Sequence, residues 1–186
     1  RDRRDCEFRP RFRRPRRSPR VGSLSRSERP SGYGAKRAGV LGNGTVADPY
    51  RTLPPAELVY RNPKWRVCSF ESKWDTNHPA YDEIYPECPA RIPESLRKRL
   101  AGLTLTCAKA FGLRGYARVD FRVRGENEVY ILEVNPNPEI SDTAGFSRCL
   151  ASAGRSHADF VVRLVEFALT RAGKTSTVFA GTKVSR

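Results

Sequence analysis

The sequence predicts an α/β fold of the α+β type, in which an antiparallel sheet is covered by helices. Two β-rich runs, 115–123 and 128–135, flank a short polar segment that contains Gly125, which is the pattern of a β-hairpin. Before and after this hairpin, residues 93–111 and 158–171 carry apolar side chains at three-to-four spacing. A hairpin between two amphipathic helices is typical of an antiparallel sheet with a helical cover.

Charge divides the chain into a basic arm and an orderly domain. Residues 1–38 hold 14 Lys/Arg against 4 Asp/Glu, a net +10, whereas residues 39–186 hold 21 against 16, a net +5. The arm is rich in Arg, Pro, Ser and Gly and lacks apolar periodicity, so we predict that it has no packed core of its own. We therefore divide the chain into residues 1–38, a domain at 39–173 and a flexible tail at 174–186.

Three interpretations of the basic arm stay open. It is a disordered tail, or it binds nucleic acid through phosphate contacts of its Arg clusters. Alternatively it is not a native segment, because GC-rich DNA that is read out of frame yields the same Arg, Pro, Gly and Ser bias. The sequence contains no Met, even at position 1, which predicts a fragment or a processed product.

The five cysteines show no Cys-x-x-Cys spacing, and the chain is neither small nor rich in cysteine. This usage predicts reduced thiols, no zinc site and a cytoplasmic location. We interpret Cys88 as a packing residue, since no His is evidently paired with it. No apolar run reaches the length of a transmembrane helix, and no secretory signal is present, so a membrane partner is not expected.

The first elements of the domain are short strands. Residues 39–44 are predicted to form a strand that ends in glycines, and residues 53–60 a rigid Pro-Pro turn that enters another strand. Residues 65–71 alternate loosely and are predicted to form a third strand, which leads to Lys73. The proline-rich stretch 76–92 is predicted to be a loop.

Three helices follow from periodicity and end signals. Pro93 suits the first position of a helix that continues to residue 111, and Gly112 suits its end. Residues 146–153 are predicted to form a short helix, and residues 158–171 a longer one that packs on the sheet. These helices are predicted to be scaffold.

Alternation along the hairpin separates apolar from polar side chains. If the apolar odd-numbered residues 117–123 face the core, then Arg118 and Asp120 face a cleft. Glu133 and Asn135 also share one face, and we assume a strand register that brings the four residues together. The alternative is a solvated polar face with a surface ion pair.

Oxygen atoms of Asp, Glu and Asn beside one Arg suit a hard cation. Mg²⁺, with Mn²⁺ as the alternative, prefers such ligands and is usually completed by water and substrate phosphates. Asp120, Glu133 and Asn135 are therefore candidate metal ligands. Arg118 would then face phosphate oxygens or a developing oxyanion.

The sequence Arg-Val-Asp-Phe at 118–121, a short turn, and Glu-Val-Asn-Pro-Asn-Pro at 133–138 resemble the metal-binding end of the ATP-grasp ligases. Within that group the chain is most similar to the D-alanine–D-alanine ligase-like proteins, from Gly39 to about Ala172. The resemblance implies the C-terminal subdomain of the ATP-grasp fold. It also implies an ATP-dependent carboxylate–amine ligation in which ATP phosphorylates a carboxylate and an amine attacks the acyl phosphate.

The resemblance assigns roles to individual residues. It implies that Lys73 lies at the start of a loop that closes over the site, where it acts with Arg118 in catalysis. It implies that the turn-rich stretch 136–145 lines the acceptor pocket, with Ser141 as the residue that contacts substrate. Glu139 stands where the family commonly has Gly, and its carboxylate could meet an amino group.

The family also has an N-terminal domain and a nucleotide-gripping subdomain with an acidic hinge, and the sequence before Gly39 contains neither. The expected partners are thus ATP, amino-acid substrates and the missing N-terminal half, and a homodimer is left open. Nucleic acid is not expected as a partner. Two alternatives remain, namely an inactive, truncated ligase fragment and a basic nucleic-acid-binding protein that uses residues 1–38.

Overall fold

The computed structural model describes residues 33–62, 64, 67–125 and 128–173. The tail at 174–186 and residues 1–32 of the basic arm, with their predicted properties, lie outside the described residues. The ten elements, in chain order, are β1 (Tyr33–Gly42), β2 (Arg51–Thr52), β3 (Ala56–Tyr60), α1 (Phe70–Trp74), β4 (Ile84–Glu87), α2 (Glu94–Ala110), β5 (Gly115–Arg124), β6 (Glu128–Asn135), α3 (Gly145–Ser152) and α4 (His157–Arg171).

The domain begins earlier than the sequence indicates. Strand β1 starts at Tyr33, six residues before the predicted boundary at Gly39, and pairs along its whole length with β5. Residues 33–38 therefore belong to the sheet and not to the arm. Their composition hid this, because Gly34, Lys36 and Arg37 lie in a central strand that is dominated by neither apolar nor β-branched residues.

All strand pairs in the described residues are antiparallel, and five strands follow the order β4-β3-β1-β5-β6. The two-residue β2 pairs with the end of β1. This architecture confirms the predicted α+β class with an antiparallel sheet and covering helices. None of the helices in the described ranges is both long enough and apolar enough to cross a membrane.

One face of the sheet, the core face, packs against α2. In β5 strict alternation buries every odd-numbered residue from Ala117 to Val123. These side chains meet the apolar stripe of α2, where Leu96 and Leu100 are fully buried. Burial of this stripe is the main reason that α2 holds its position, since apolar burial contributes roughly 25 cal/mol per Å².

The opposite face, the cleft face, is divided between packing and charge. Near the start of β5 it is covered by α3 and α4, and Tyr116 meets Phe146 and Phe160 in edge contacts at 5.7 and 5.6 Å between ring centroids. Farther along β5 the same face carries Arg118, Asp120 and Arg122 instead of apolar residues. The two helices stop short of this charged part of the sheet.

The hairpin and the helices at 93–111, 146–153 and 158–171 are confirmed. The strand predicted at 65–71 is wrong for its described C-terminal part, because Phe70–Trp74 is a short helix. Ser69 caps it by accepting a hydrogen bond from the Ser72 amide at 3.3 Å. The predicted loop at 76–92 also contains β4, an edge strand that tolerates Pro86 because its outer side has no strand partner in the described sheet.

Candidate functional site

The strand register brings the four polar residues of the hairpin together. Asp120 lies opposite Glu133, and Arg118 lies opposite Asn135, all on the cleft face. The shared face that was assumed from parity is thus confirmed. The four side chains come from adjacent strands within one continuous ladder, so their spacing is fixed by backbone hydrogen bonds.

A β-bulge produces this register. Near the hairpin turn Arg124 pairs with Glu128, and continuing that register would place Glu133 opposite the core residue Val119. Instead the pairing shifts by one residue between Asp120 and Phe121. A shift of one residue exchanges the two faces of a strand, so the bulge moves Glu133 from the core side to the cleft.

Arg118 and Asp120 form a fork-to-fork ion pair. The guanidinium donates from Nε to Oδ1 at 2.5 Å and from the second terminal nitrogen to Oδ2 at 2.9 Å. That terminal nitrogen also lies 3.4 Å from Oε1 of Glu133. The side chains of Arg118 and Asp120 are only 16% and 14% exposed, whereas that of Glu133 is 54% exposed. Two-point pairing therefore fixes Arg118 against the sheet and leaves Glu133 as the accessible carboxylate.

Arg37 is a site residue that the sequence did not reveal. Its Nε lies 3.4 Å from Oδ2 of Asp120, and its side chain is 19% exposed. Because residues 1–38 were assigned to a basic arm, nothing marked Arg37 as a neighbour of Asp120. Their opposition follows from the β1–β5 register, which only the structure gives. Arg37 and Arg118 together balance the charges of Asp120 and Glu133.

The cleft face continues past Arg37 to Arg122 and Tyr60. Burial raises the pKa of Tyr60, although the charge of Arg122 and its hydrogen bond to the phenol oppose that rise. The phenol is therefore protonated at neutral pH and contributes no charge. Three arginines thus line this face, which makes it suited to an anionic group.

The Asn-Pro-Asn turn after β6 is held by a chain of hydrogen bonds. Oδ1 of Asn135 accepts from the Asn137 amide at 2.9 Å, and Oδ1 of Asn137 accepts from the Tyr116 hydroxyl at 2.6 Å. Nδ2 of Asn135 points toward Oε1 of Glu133 at 3.5 Å. The turn is therefore tied to both strands of the hairpin, and Asn135 is oriented beside Glu133.

The oxygen donors fit a magnesium-type cation. In the described part of the chain no three His, Cys, Asp or Glu side chains cluster as a metal site would require. The candidate site offers two carboxylates and one amide, which matches a cation that keeps several waters and takes further oxygens from phosphates. Both oxygens of Asp120 already accept from arginines, so Glu133 and Asn135 are its most accessible donors.

Lys73 and Ser141 lie apart from these four residues. Lys73 is exposed on α1, and within the described ranges it makes no hydrogen bond or ion pair. Ser141 lies between β6 and α3 and donates to Oε1 of Glu139 at 2.6 Å. The carbonyl of Ile140 is held by His157 Nε2 at 2.7 Å, so this loop is anchored to α4. The structure therefore does not bring Lys73 or Ser141 into contact with Arg118.

Comparisons with known proteins match the chain to one family. Residues 37–166 match the family model described as "D-ala D-ala ligase C-terminus". The D-alanine–D-alanine ligase of Desulforudis audaxviator is 37% identical over 134 residues, which are 72% of this chain and 40% of that protein. That of Desulfotalea psychrophila is 30% identical over 132 residues, 71% of this chain and 38% of that protein.

A solved structure shows the same fold. The D-alanine–D-alanine ligase from Bacillus anthracis, complexed with ATP, has a TM-score of 0.54 and 20% identity. The match covers 75% of this chain and 40% of that one. The chain therefore spans about two fifths of the length of the ligases that it resembles.

Proposed function

The chain belongs to the D-alanine–D-alanine ligase family, and from this we propose that it supplies the metal- and phosphate-binding part of an ATP-dependent carboxylate–amine ligase. The reaction joins two amino acids through an acyl phosphate and releases ADP and phosphate. The observation that carries the proposal is the cross-strand group of Arg118, Asp120, Glu133 and Asn135, which lies inside the span that matches the family. The remainder of the enzyme must come from residues that correspond to the other three fifths of the relatives.

Asp120, Glu133 and Asn135 would hold Mg²⁺, and Mn²⁺ suits the same donors. When bound, such a cation bridges phosphate oxygens and neutralises the charge that develops on them. Glu133 and Asn135 present their oxygens toward the cleft, and Asp120 supports them from the more buried side. In this arrangement Asp120 has a second task, since it orients Arg118.

Arg118 would stabilise negative charge on the transferred phosphoryl group or on the tetrahedral oxyanion. Its guanidinium is already fixed by Asp120, so little reorganisation is needed when substrate arrives. Arg37, on the other side of Asp120, adds positive charge to the same cleft. Both effects favour an anionic ligand over a neutral one.

Lys73 would close over the site when the segment that contains α1 moves toward the hairpin. Its exposure and its lack of partners in the described residues support this role, because a residue that acts in a closed state is unpaired in an open one. Closure would exclude water from the acyl phosphate. The four-carbon stem of Lys gives the ammonium group the reach that such a role needs.

Ser141 would contact the acceptor substrate. Its hydroxyl donates to Glu139, so the two side chains form one polar unit at the tip of the loop. The carboxylate of Glu139 suits the amino group of an acceptor amino acid. The identity of that amino acid follows from the whole enzyme and is part of the proposal to be tested.

A chimera tests the proposed reaction. The part of the Desulforudis audaxviator ligase that precedes its matched segment is joined to this chain at residue 37, and ADP release is measured with and without D-alanine. We expect amino-acid-dependent ADP release, and a decrease of about 100-fold or more in Glu133→Gln, since even loss of an outer-shell partner costs roughly 10–100-fold.

The matched control is Glu128→Gln, which changes an exposed carboxylate on the same strand that pairs with Arg124 instead of Arg118. It should retain normal turnover. Unchanged turnover in Glu133→Gln would contradict the metal assignment. A folded chimera that never releases ADP would support the alternative of an inactive ligase fragment.

A further inference from the structure

Two cysteines that are distant in sequence meet in the fold. Cys88 follows β4, Cys149 lies in α3, and their Sγ atoms are 3.4 Å apart. Both are free thiols. Sixty-one positions separate them, so the sequence gave no sign of the pairing. Cys88 does pack against the apolar cluster under α3, as predicted, but it also has a sulfur partner.

The two thiols differ in access. Cys88 lines a cavity of about 700 Å³, together with Arg91 and Arg148. Cys149 is 3% exposed and lies behind Cys88 among the buried residues of α3. A small molecule in the cavity can therefore reach one sulfur first, and the two guanidinium groups favour a molecule with negative charge.

Hydrogen bonding makes Cys88 the more acidic thiol. The Cys149 thiol donates toward the Cys88 sulfur, which lowers the pKa of Cys88 against the opposing effect of burial, and Arg148 contributes in the same direction. The same hydrogen bond, together with burial, raises the pKa of Cys149. The thiolate, which is the nucleophilic form, therefore resides on the sulfur that faces the cavity.

We propose that Cys88 and Cys149 form a dithiol site that exchanges with a small anionic disulfide, such as oxidised glutathione, and closes into an intramolecular disulfide. The Cys88 thiolate attacks one sulfur of the small disulfide, whose S–S bond breaks, and the first small thiol leaves as a thiolate that takes up a proton. Cys149 then loses its proton and attacks the Cys88 sulfur, which expels the second small thiol. Two protein thiols are oxidised, and one disulfide is reduced to two thiols.

The geometry supports the second step as well as the first. Once Cys88 is in a mixed disulfide it carries no negative charge, so the main cause that raises the pKa of Cys149 disappears. The two sulfurs then need to approach from 3.4 Å to the length of an S–S bond, about 2.05 Å. A shift of about this size is small compared with the movements that loops and helix ends make.

A disulfide here would attach α3 to the segment between β4 and α2. Next to Cys149 in α3, Ser147 donates to the Ile140 carbonyl at 3.3 Å and Arg148 to the Thr143 carbonyl at 3.2 Å. These two bonds hold the loop that contains Ser141. An effect on acceptor binding would rest on the proposed function, whereas the chemistry of the pair does not.

The test uses the full chain with Cys6→Ser and Cys68→Ser, which leaves Cys88, Cys149 and Cys107. The protein is incubated with excess oxidised glutathione, the remaining thiols are alkylated, and the digest is analysed by mass spectrometry. We expect a cross-linked peptide that joins Cys88 to Cys149, while Cys107 stays a thiol. Cys107 is a matched control because it is a buried cysteine without a printed sulfur partner in the described residues, and burial raises its pKa.

Replacing the second cysteine separates the two steps. In Cys149→Ser the reaction should stop at a mixed disulfide on Cys88, and Cys149→Ala gives the same readout if Ser disturbs the core. In Cys88→Ser neither product should form. The proposal is overturned if Cys88 and Cys149 are both alkylated in full after oxidation, or if glutathione is attached to Cys149 in preference to Cys88.

Discussion

Lys36 and Glu57 form an ion pair inside the fold, and we predict that Glu57→Gln destabilises the chain by about 3–5 kcal/mol. The two residues are cross-strand partners in β1 and β3, on the core face of the sheet. Lys36 Nζ donates to Oε1 of Glu57 at 2.6 Å, and the side chains are 6% and 12% exposed. The substitution keeps the shape of the side chain but leaves a buried ammonium group without its counter-charge.

The magnitude follows from the distance and the burial. At 2.6 Å and an effective dielectric constant near 20, the attraction between unit charges is roughly 6 kcal/mol. Part of this is offset, because a neutral Gln is less costly to bury than a carboxylate and can still accept a hydrogen bond. What remains agrees with the measured cost of breaking buried pairs. Replacing both partners by apolar residues, as in Lys36→Met with Glu57→Leu, should recover most of the loss.

The assay is urea unfolding of the 186-residue chain, followed by circular dichroism and analysed as a double-mutant cycle. The control is Glu94→Gln, because Glu94 and its partner Arg97 are 65% and 34% exposed and such pairs contribute at most about 1 kcal/mol. If Glu57→Gln stays within about 1 kcal/mol of the parent with an unchanged denaturant slope, the reasoning about the buried pair is refuted.

Two further predictions concern packing and backbone conformation. Phe146→Ala should cost about 3–5 kcal/mol in the same urea assay, because Phe146 is 1% exposed and fills the space between Tyr116 and Phe160; a loss below about 1 kcal/mol would contradict this packing. Gly42→Ala should destabilise by about 1–3 kcal/mol, since φ is +118° and an added Cβ would lie 2.4 Å from the Pro49 carbonyl oxygen. Its control, Gly102→Ala in α2, has no atom within 4 Å of the new Cβ and should stabilise by about 0.5–1 kcal/mol.

Periodicity was sufficient for the elements with one clear apolar face. The alternation from Ala117 to Val123 predicted β5, and the stripe that includes Leu96 and Leu100 predicted α2, because burial of that face determines both elements. Strand β1 escaped prediction because Lys36 and Arg37 are charged residues in a central strand. Each is satisfied by a partner on a neighbouring strand, which the sequence does not show.

The candidate site was predicted in composition but not in register. Parity placed Glu133 and Asn135 on one face, yet the same parity allowed that face to be the core. The bulge between Asp120 and Phe121 decides the question, and no residue type in β6 marks it. Arg37 was missed for the same reason, since its place beside Asp120 depends on long-range pairing.

The most direct test of the central account is the binding of Mn²⁺ with ATP to the 186-residue chain, observed by paramagnetic broadening of its backbone amide NMR signals. We predict that broadening is strongest at Arg118, Asp120, Glu133 and Asn135, that it persists in Glu128→Gln, and that it is lost in Glu133→Gln. Broadening centred elsewhere in the chain, or equal broadening in Glu133→Gln and the parent, would contradict the assignment of this site.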